Sequence, residues 1–202
     1  MRRASGQTLM EVLVALTIVA IGLSAAAALV FSNLALVEQD TDRVVATNLA
    51  REGIEIVKQL RDSNWLAGNN FDTGLLNQAS PSDITATPVW DGVIDRPSLD
   101  FTANAITDAE GQVVLSAAAG AVEGFMANKS NISAITGSNT PFRRLLSLSS
   151  ICVDAGNTHA IVTGPCPAGQ YKAGIRVESR IQWTRRARIL TTMMYDDLYD
   201  WK

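Results

Sequence analysis

The sequence predicts an α+β protein. One long N-terminal α-helix, membrane-spanning in its first half and amphipathic in its second, packs on a C-terminal antiparallel β-sheet. Three observations carry this prediction. An uncharged run extends from Val12 to Val37. An apolar stripe at helical spacing follows it, with no proline before Pro81. Near the C-terminus, apolar and polar residues alternate along "YKAGIRVESRIQW".

The first observation predicts a membrane span. Of the twenty residues from Val12 to Phe31, only Thr17, Gly22 and Ser24 are not plainly apolar. At about 1.5 Å per residue, such a run crosses the roughly 30 Å hydrocarbon core of a bilayer. It exceeds the roughly 7–15 residues of a secretory signal core. Arg2 and Arg3 precede it with no acid beside them. The positive-inside rule then predicts a cytoplasmic N-terminus and export of everything after about residue 38.

The second observation continues the helix outside the membrane. Val37, Thr41, Val45, Leu49, Gly53, Ile56 and Leu60 recur at steps of three and four, which marks one face. The charged residues Glu38 to Arg61 lie mostly off that face. Asp62-Ser63-Asn64, with Gly68-Asn69-Asn70 beyond, is a stop signal. The prediction is one helix from about Thr8 to about Asn64, whose exported half must pack against something.

The stretch from Trp65 to Ser150 reads as loop-like, rich in Asn, Ser, Thr, Gly and Ala and punctuated by Pro81, Pro88, Pro97 and Pro141. Short strands are expected at Pro88–Ile94 and Gln112–Ser116, and a short helix near Ser116–Ala127. The third observation then predicts a half-buried strand carrying Ile175, Val177, Ile181 and Trp183. "ARILTTMMY" is its expected partner across a turn near Arg185-Arg186. The job of this sheet is to cover the apolar stripe of the exported half-helix.

Chemistry is sparse. His159 is the only histidine and has no acidic or cysteine cluster near it in sequence, so it makes no metal site. No nucleophile elbow and no phosphate-binding loop occur, which excludes the common hydrolase and motor signatures and predicts a protein that is not an enzyme and needs no cofactor. Asp196, Asp197 and Asp200 lack EF-hand spacing and read as a solvated acidic turn. Trp90, Trp183 and Trp201 read as core. Asn128 and Asn131 match the glycosylation sequon by letters only. The net charge is −3, with no basic block along the chain, so no direct nucleic-acid binding is expected. Cys152 and Cys166 both fall on the exported side, where pairs usually form disulfides. Two buried free thiols are the alternative, and the spacing is too wide for a C-x-x-C redox or zinc site.

One feature of the apolar helix stands apart: Glu11 sits at its mouth, five residues after Gly6. "SGQTLMEVLVALTIVAIGL" resembles the prepilin signature of type IV pilins and the related pseudopilins. The resemblance covers about the first thirty residues. It implies a leader of residues 1–6, cut between Gly6 and Gln7 by a membrane-embedded prepilin peptidase that also methylates the new amino terminus at Gln7. The family usually has Phe at that first mature position. Glu11 becomes the fifth mature residue. The resemblance implies that its carboxylate neutralises the amino terminus of a neighbouring subunit during assembly.

The implied organisation is a leader at 1–6, a transmembrane and assembly half at 7–37, an exported amphipathic half at 38–64, and a globular pilin-like domain at 65–202. The implied function is a structural subunit, a minor pilin of a type IV pilus-like filament. The alternatives are a pseudopilin of a type II secretion system and a single-pass anchored domain that does not assemble. The partners implied are the prepilin peptidase, other pilin subunits, the pilus assembly platform and, before assembly, the inner membrane, spanned once with the N-terminus inside. After assembly the expected location is the cell-surface pilus.

Overall fold

A computed structural model describes residues 9–77, 84–91, 96–116, 125–128 and 137–200. The chain divides into two units, Met1–Val44 and Val45–Lys202. One helix, α1 (Leu9–Leu66, 58 residues), runs through both. In the first unit its side chains are almost all exposed.

In the second unit α1 is an ordinary amphipathic helix with one buried face. Leu49, Gly53 and Ile56 of the expected stripe are buried, and Val45 and Leu60 are half-buried. Val37 and Thr41 are exposed, so the packed face begins at Val45. It is also wider than the stripe, because Ala46, Ala50, Ile54 and Val57 form a second buried column one helical position over. The small residues set a close approach. A Cβ on Gly53 would lie 2.7 Å from Ser179 Oγ and 2.9 Å from Leu146 Cδ2, so only glycine fits there without a shift. The helix ends as its stop signal predicts. Gly68 takes a left-handed φ of 74°, and Asn64 Nδ2 donates to Phe71 O and Thr73 O, tying down the following loop.

All strand pairings are antiparallel, and β5 (Gly137–Val153) is the centre. β7 (Tyr171–Arg185) runs along one of its edges, from Phe142 to Val153. Three strands share the other edge in turn: β3 (Gln112–Ser116), β1 (Thr85–Asp91) at Leu146 and Ser147, and β6 (His159–Val162). β2 (Arg96–Asp100) pairs with β1, β4 (Phe125–Asn128) with β3, and β8 (Arg188–Tyr199) with β7. Pro141 falls where β3 and β5 slip register, between the pairs Gln112–Arg143 and Val114–Asn139. A bulge tolerates its missing N–H. Gln112 Nε2 stitches the irregularity by donating to Thr140 O and Phe142 O.

The expected strand at Gln112–Ser116 is β3. The one at Pro88–Ile94 overlaps β1, and Ile94 lies outside the described residues. The expected helix across Ser116–Ala127 is strand at both of its ends, and residues 117–124 lie outside the described ones.

The core forms where α1 meets the sheet, in two clusters. One gathers Ile54, Val57, Leu146, Leu148, Ile175 and Val177. The other joins Ala46, Leu49 and Ala50 to Val113, Phe142, Ile181 and Trp183. The alternation predicted for β7 therefore delivers all four of its apolar residues to the face that α1 covers.

The β7–β8 hairpin turns through Arg186 (φ 47°) and Ala187 (φ 62°). Two central residues with positive φ make a type I′ turn, which matches strand twist but favours Asn-Gly. Side chains with a Cβ pay about 1–2 kcal/mol each in this region. Arg186→Asn with Ala187→Gly is therefore expected to raise the unfolding free energy by about 1–2 kcal/mol, as measured by urea denaturation of the detergent-solubilised chain.

Candidate functional site

The apolar half of α1 carries the chemistry that the sequence singles out. Glu11 lies in its first turn, the place on a helix where a carboxylate is favoured by the backbone dipole. Around and beyond it, Leu9, Met10, Leu13, Leu16, Ile18 and Ile21 are all at least half exposed. The helix is long and apolar enough to cross a membrane by length and composition, and its most apolar stretch buries nothing within the chain. Its hydroxyls are satisfied internally. Thr17 Oγ1 donates to Val14 O and Ser24 Oγ to Ile21 O, each at 2.8 Å, and Ser32 Oγ donates to Leu29 O at 3.0 Å. No hydroxyl therefore needs water, which is what a lipid surface demands. Glu11 is the one ionisable group among the described residues of this segment. Gly6 and Gln7 lie outside the described residues.

Residues 1–27 match the family model of the prokaryotic N-terminal methylation motif. That motif supports a type IV pilin-like or pseudopilin precursor. The match covers 27 of the 202 residues and includes Gly6, Gln7, Glu11 and more than half of the uncharged run. It implies processing by a prepilin peptidase and association with other pilins. No curated protein and no solved structure matches the chain significantly.

In the second unit, Cys152 and Cys166 are joined by a disulfide with Cα atoms 5.6 Å apart. It ties β5 to the segment that follows β6, where Ser150 Oγ also donates to Gly164 O at 2.6 Å. A closed loop of this size contributes about 3 kcal/mol in the chain-entropy picture. Cys152→Ala with Cys166→Ala is expected to lower the urea-unfolding free energy by about that amount, with the spectrum of the folded state unchanged.

A polar group that the sequence reading overlooked sits between α1 and the sheet. Arg144, on β5, is wholly buried, and burial pushes its guanidinium below the usual arginine range. Its Nη1 donates to Glu52 Oε2 at 3.0 Å and to Leu49 O at 3.3 Å, and its Nε donates to Asn128 Oδ1 at 2.7 Å. Asn128 Nδ2 in turn donates to Glu110 O and Arg144 O. One cation thus fastens α1 to β5 and β4. The sequon at Asn128 is no glycosylation site in the folded chain, because that side chain is buried and fully engaged. Asn131 lies outside the described residues.

The acidic tail is not a free turn. Asp196 and Asp197 belong to β8, and the β7–β8 register places Asp197 opposite Arg176. Arg176 grips Asp197 with two hydrogen bonds, at 2.6 and 2.7 Å, which hold the carboxyl below the usual aspartate range. Lys58 on α1 pairs with Asp196 at 2.9 Å, and that hydrogen bond raises the Lys58 pKa. Trp183 is core, as expected. Nothing is described of the Trp90 side chain or of Trp201. His159 is exposed at the start of β6, edge-on to Tyr199 at 6.1 Å. Among the described residues, no group of His, Cys, Asp and Glu could hold a metal ion.

Proposed function

We infer that the chain is a minor subunit of a type IV pilus-like filament. It waits in the inner membrane with its N-terminus inside, is cut after Gly6, is methylated at Gln7, and enters the filament through its apolar helix. The observation that carries this reading is an uncovered apolar segment holding a single carboxylate, Glu11, within a methylation motif. A carboxylate in lipid costs a few kcal/mol when alone. A free ammonium on a neighbouring subunit's Gln7 offsets that cost in a medium of low dielectric. The acid thereby favours assembled over isolated helices. The exported domain supplies the surface of the filament, and the assembly platform and its motor are other proteins.

Intact-mass and N-terminal sequencing of the protein from membranes and from sheared filaments test this reading. The expected start is Gln7, carrying one added methyl group. A chain starting at Met1 or beyond residue 25 in both fractions overturns it.

A further inference from the structure

The exported sheet is polarised in charge. From Ser179 to Tyr195 the chain holds Arg180, Arg185, Arg186 and Arg188 and no acid. Arg180 pairs with Glu178 at 2.8 Å, and the exposed cations Arg186 and Arg188 stand at the β7–β8 turn. The acids Asp196, Asp197 and Asp200 stand toward the other end of the same hairpin, where Asp196 pairs with Lys58 and Asp197 with Arg176. Arg186 and Arg188 are exposed, and Ile189 beside them is 67% exposed. A cationic turn next to an uncovered apolar side chain has the composition of an interfacial anchor, with charges for headgroups and an alkyl group for the layer just below.

The position of this turn limits what it can meet. Leu190 and Val45 pack on the same cluster, built on Ala46, Ile181 and Trp183. The turn therefore lies at the end of the domain where the chain arrives from its apolar segment. Only seven residues lie between Val37, the last of the uncharged run, and Val45. They reach at most roughly 28 Å in any conformation. Glu38, Asp40 and Asp42 outnumber the one cation on that link, Arg43, so the link is net negative and does not itself adsorb to an anionic surface. The exposed cations Arg186 and Arg188 stand on the domain.

We propose that, before assembly, the turn Arg185–Arg188 with Ile189 rests on the anionic phospholipid headgroups of the membrane that holds the helix. The partner is a lipid surface because the tether keeps one within reach at all times, whereas any other polyanion must arrive by diffusion. Each arginine at such a surface contributes about a fivefold gain in partitioning at low salt, and screening removes it. Extraction into the filament then breaks these contacts. The inference rests on the membrane-anchored state in the reading above and not on filament assembly itself.

The test places the full chain in nanodiscs of phosphatidylcholine alone or with phosphatidylglycerol, each with the same fraction of a nitroxide-headgroup lipid. A fluorophore on Thr184→Cys, an exposed position next to the turn, reports contact by quenching. The expected result is strong quenching in the anionic discs only. High salt should reverse it. Arg186→Gln with Arg188→Gln should weaken it by about an order of magnitude or more, and Arg186→Lys with Arg188→Lys should largely restore it. Equal quenching in both lipids reports the tether alone and overturns the proposal, as does no quenching in either. Quenching that appears only with two copies per disc assigns the surface to a second chain and also overturns it. A chain that does not co-elute with discs overturns the anchoring and this proposal together. An unchanged melting temperature in the arginine variants shows that the domain remains folded.

Discussion

Removal of the Glu52 carboxylate by Glu52→Ala is expected to destabilise the second unit by about 3 kcal/mol, although this side chain is 46% exposed. The reason lies with its partner. Arg144 is wholly buried, and without Glu52 its charge is left, among the described residues, with the Leu49 carbonyl and the Asn128 amide oxygen. Water entering the vacated space keeps the loss at the low end of the range for a broken buried pair. Arg144→Met should cost less, because it removes the charge and leaves Glu52 free to turn to solvent. The double variant should resemble Arg144→Met alone, a non-additivity that a double-mutant cycle reads directly. Urea unfolding of the detergent-solubilised chain measures all three. If the two single variants cost the same and add, the buried charge is not what Glu52 answers.

Glu11→Gln should act on a different observable. The leader is still removed and the second unit unfolds at the same denaturant concentration, because Glu11 belongs to the first unit, Met1–Val44. Incorporation into filaments should fall by at least about tenfold, corresponding to the loss of roughly 1.4 kcal/mol of differential stabilisation. The measurement is the ratio of protein in sheared filaments to protein in the membrane fraction. A ratio equal to that of the unaltered chain would falsify the assembly role of the carboxylate. A fall accompanied by an uncut leader would point instead to faulty processing.

The parts of this fold that were legible in the sequence are those whose periodicity is written locally. The uncharged run, the i, i+4 stripe through Leu49 and Gly53, and the alternation of Ile175, Val177, Ile181 and Trp183 each repeat with the period of their element. The central strand β5 was not legible, and its first fourteen residues were assigned to a loop-like region. Its inner face reads Phe142, Arg144, Leu146, Leu148, Ser150 and Cys152, so a charge and a hydroxyl break the apolar pattern. Leu145 and Ile151 are buried on the opposite face, which removes the polar half of the alternation as well. Pro141 argued further against a strand, and only the bulge and the Gln112 side chain make it tolerable. The run Leu145 to Val153 held the available signal, as a short apolar segment of the sort that covered strands show.

The candidate site divides in the same way. Gly6, Gln7 and Glu11 form a motif readable from one short segment. The Arg144 contacts and the cationic turn depend on residues far apart in sequence, and no linear pattern announces them. The pairing of Asp197 with Arg176 needed the strand register before it could be seen. The tail was read as a solvated turn for want of that register.

The contact between Arg144 and Glu52 closes a separation of 92 residues, and β5 cannot complete its ladder until β7 has been made. Such non-local pairings form late and slowly, whereas a helix forms locally in about a microsecond or less. During synthesis the apolar helix therefore emerges, and can enter the bilayer, while the remaining chain has no stable partner to fold upon. In the proposed topology, translocation meets a loose polypeptide instead of a compact body, and the ordering of the domain is deferred to the compartment where its cysteines can oxidise.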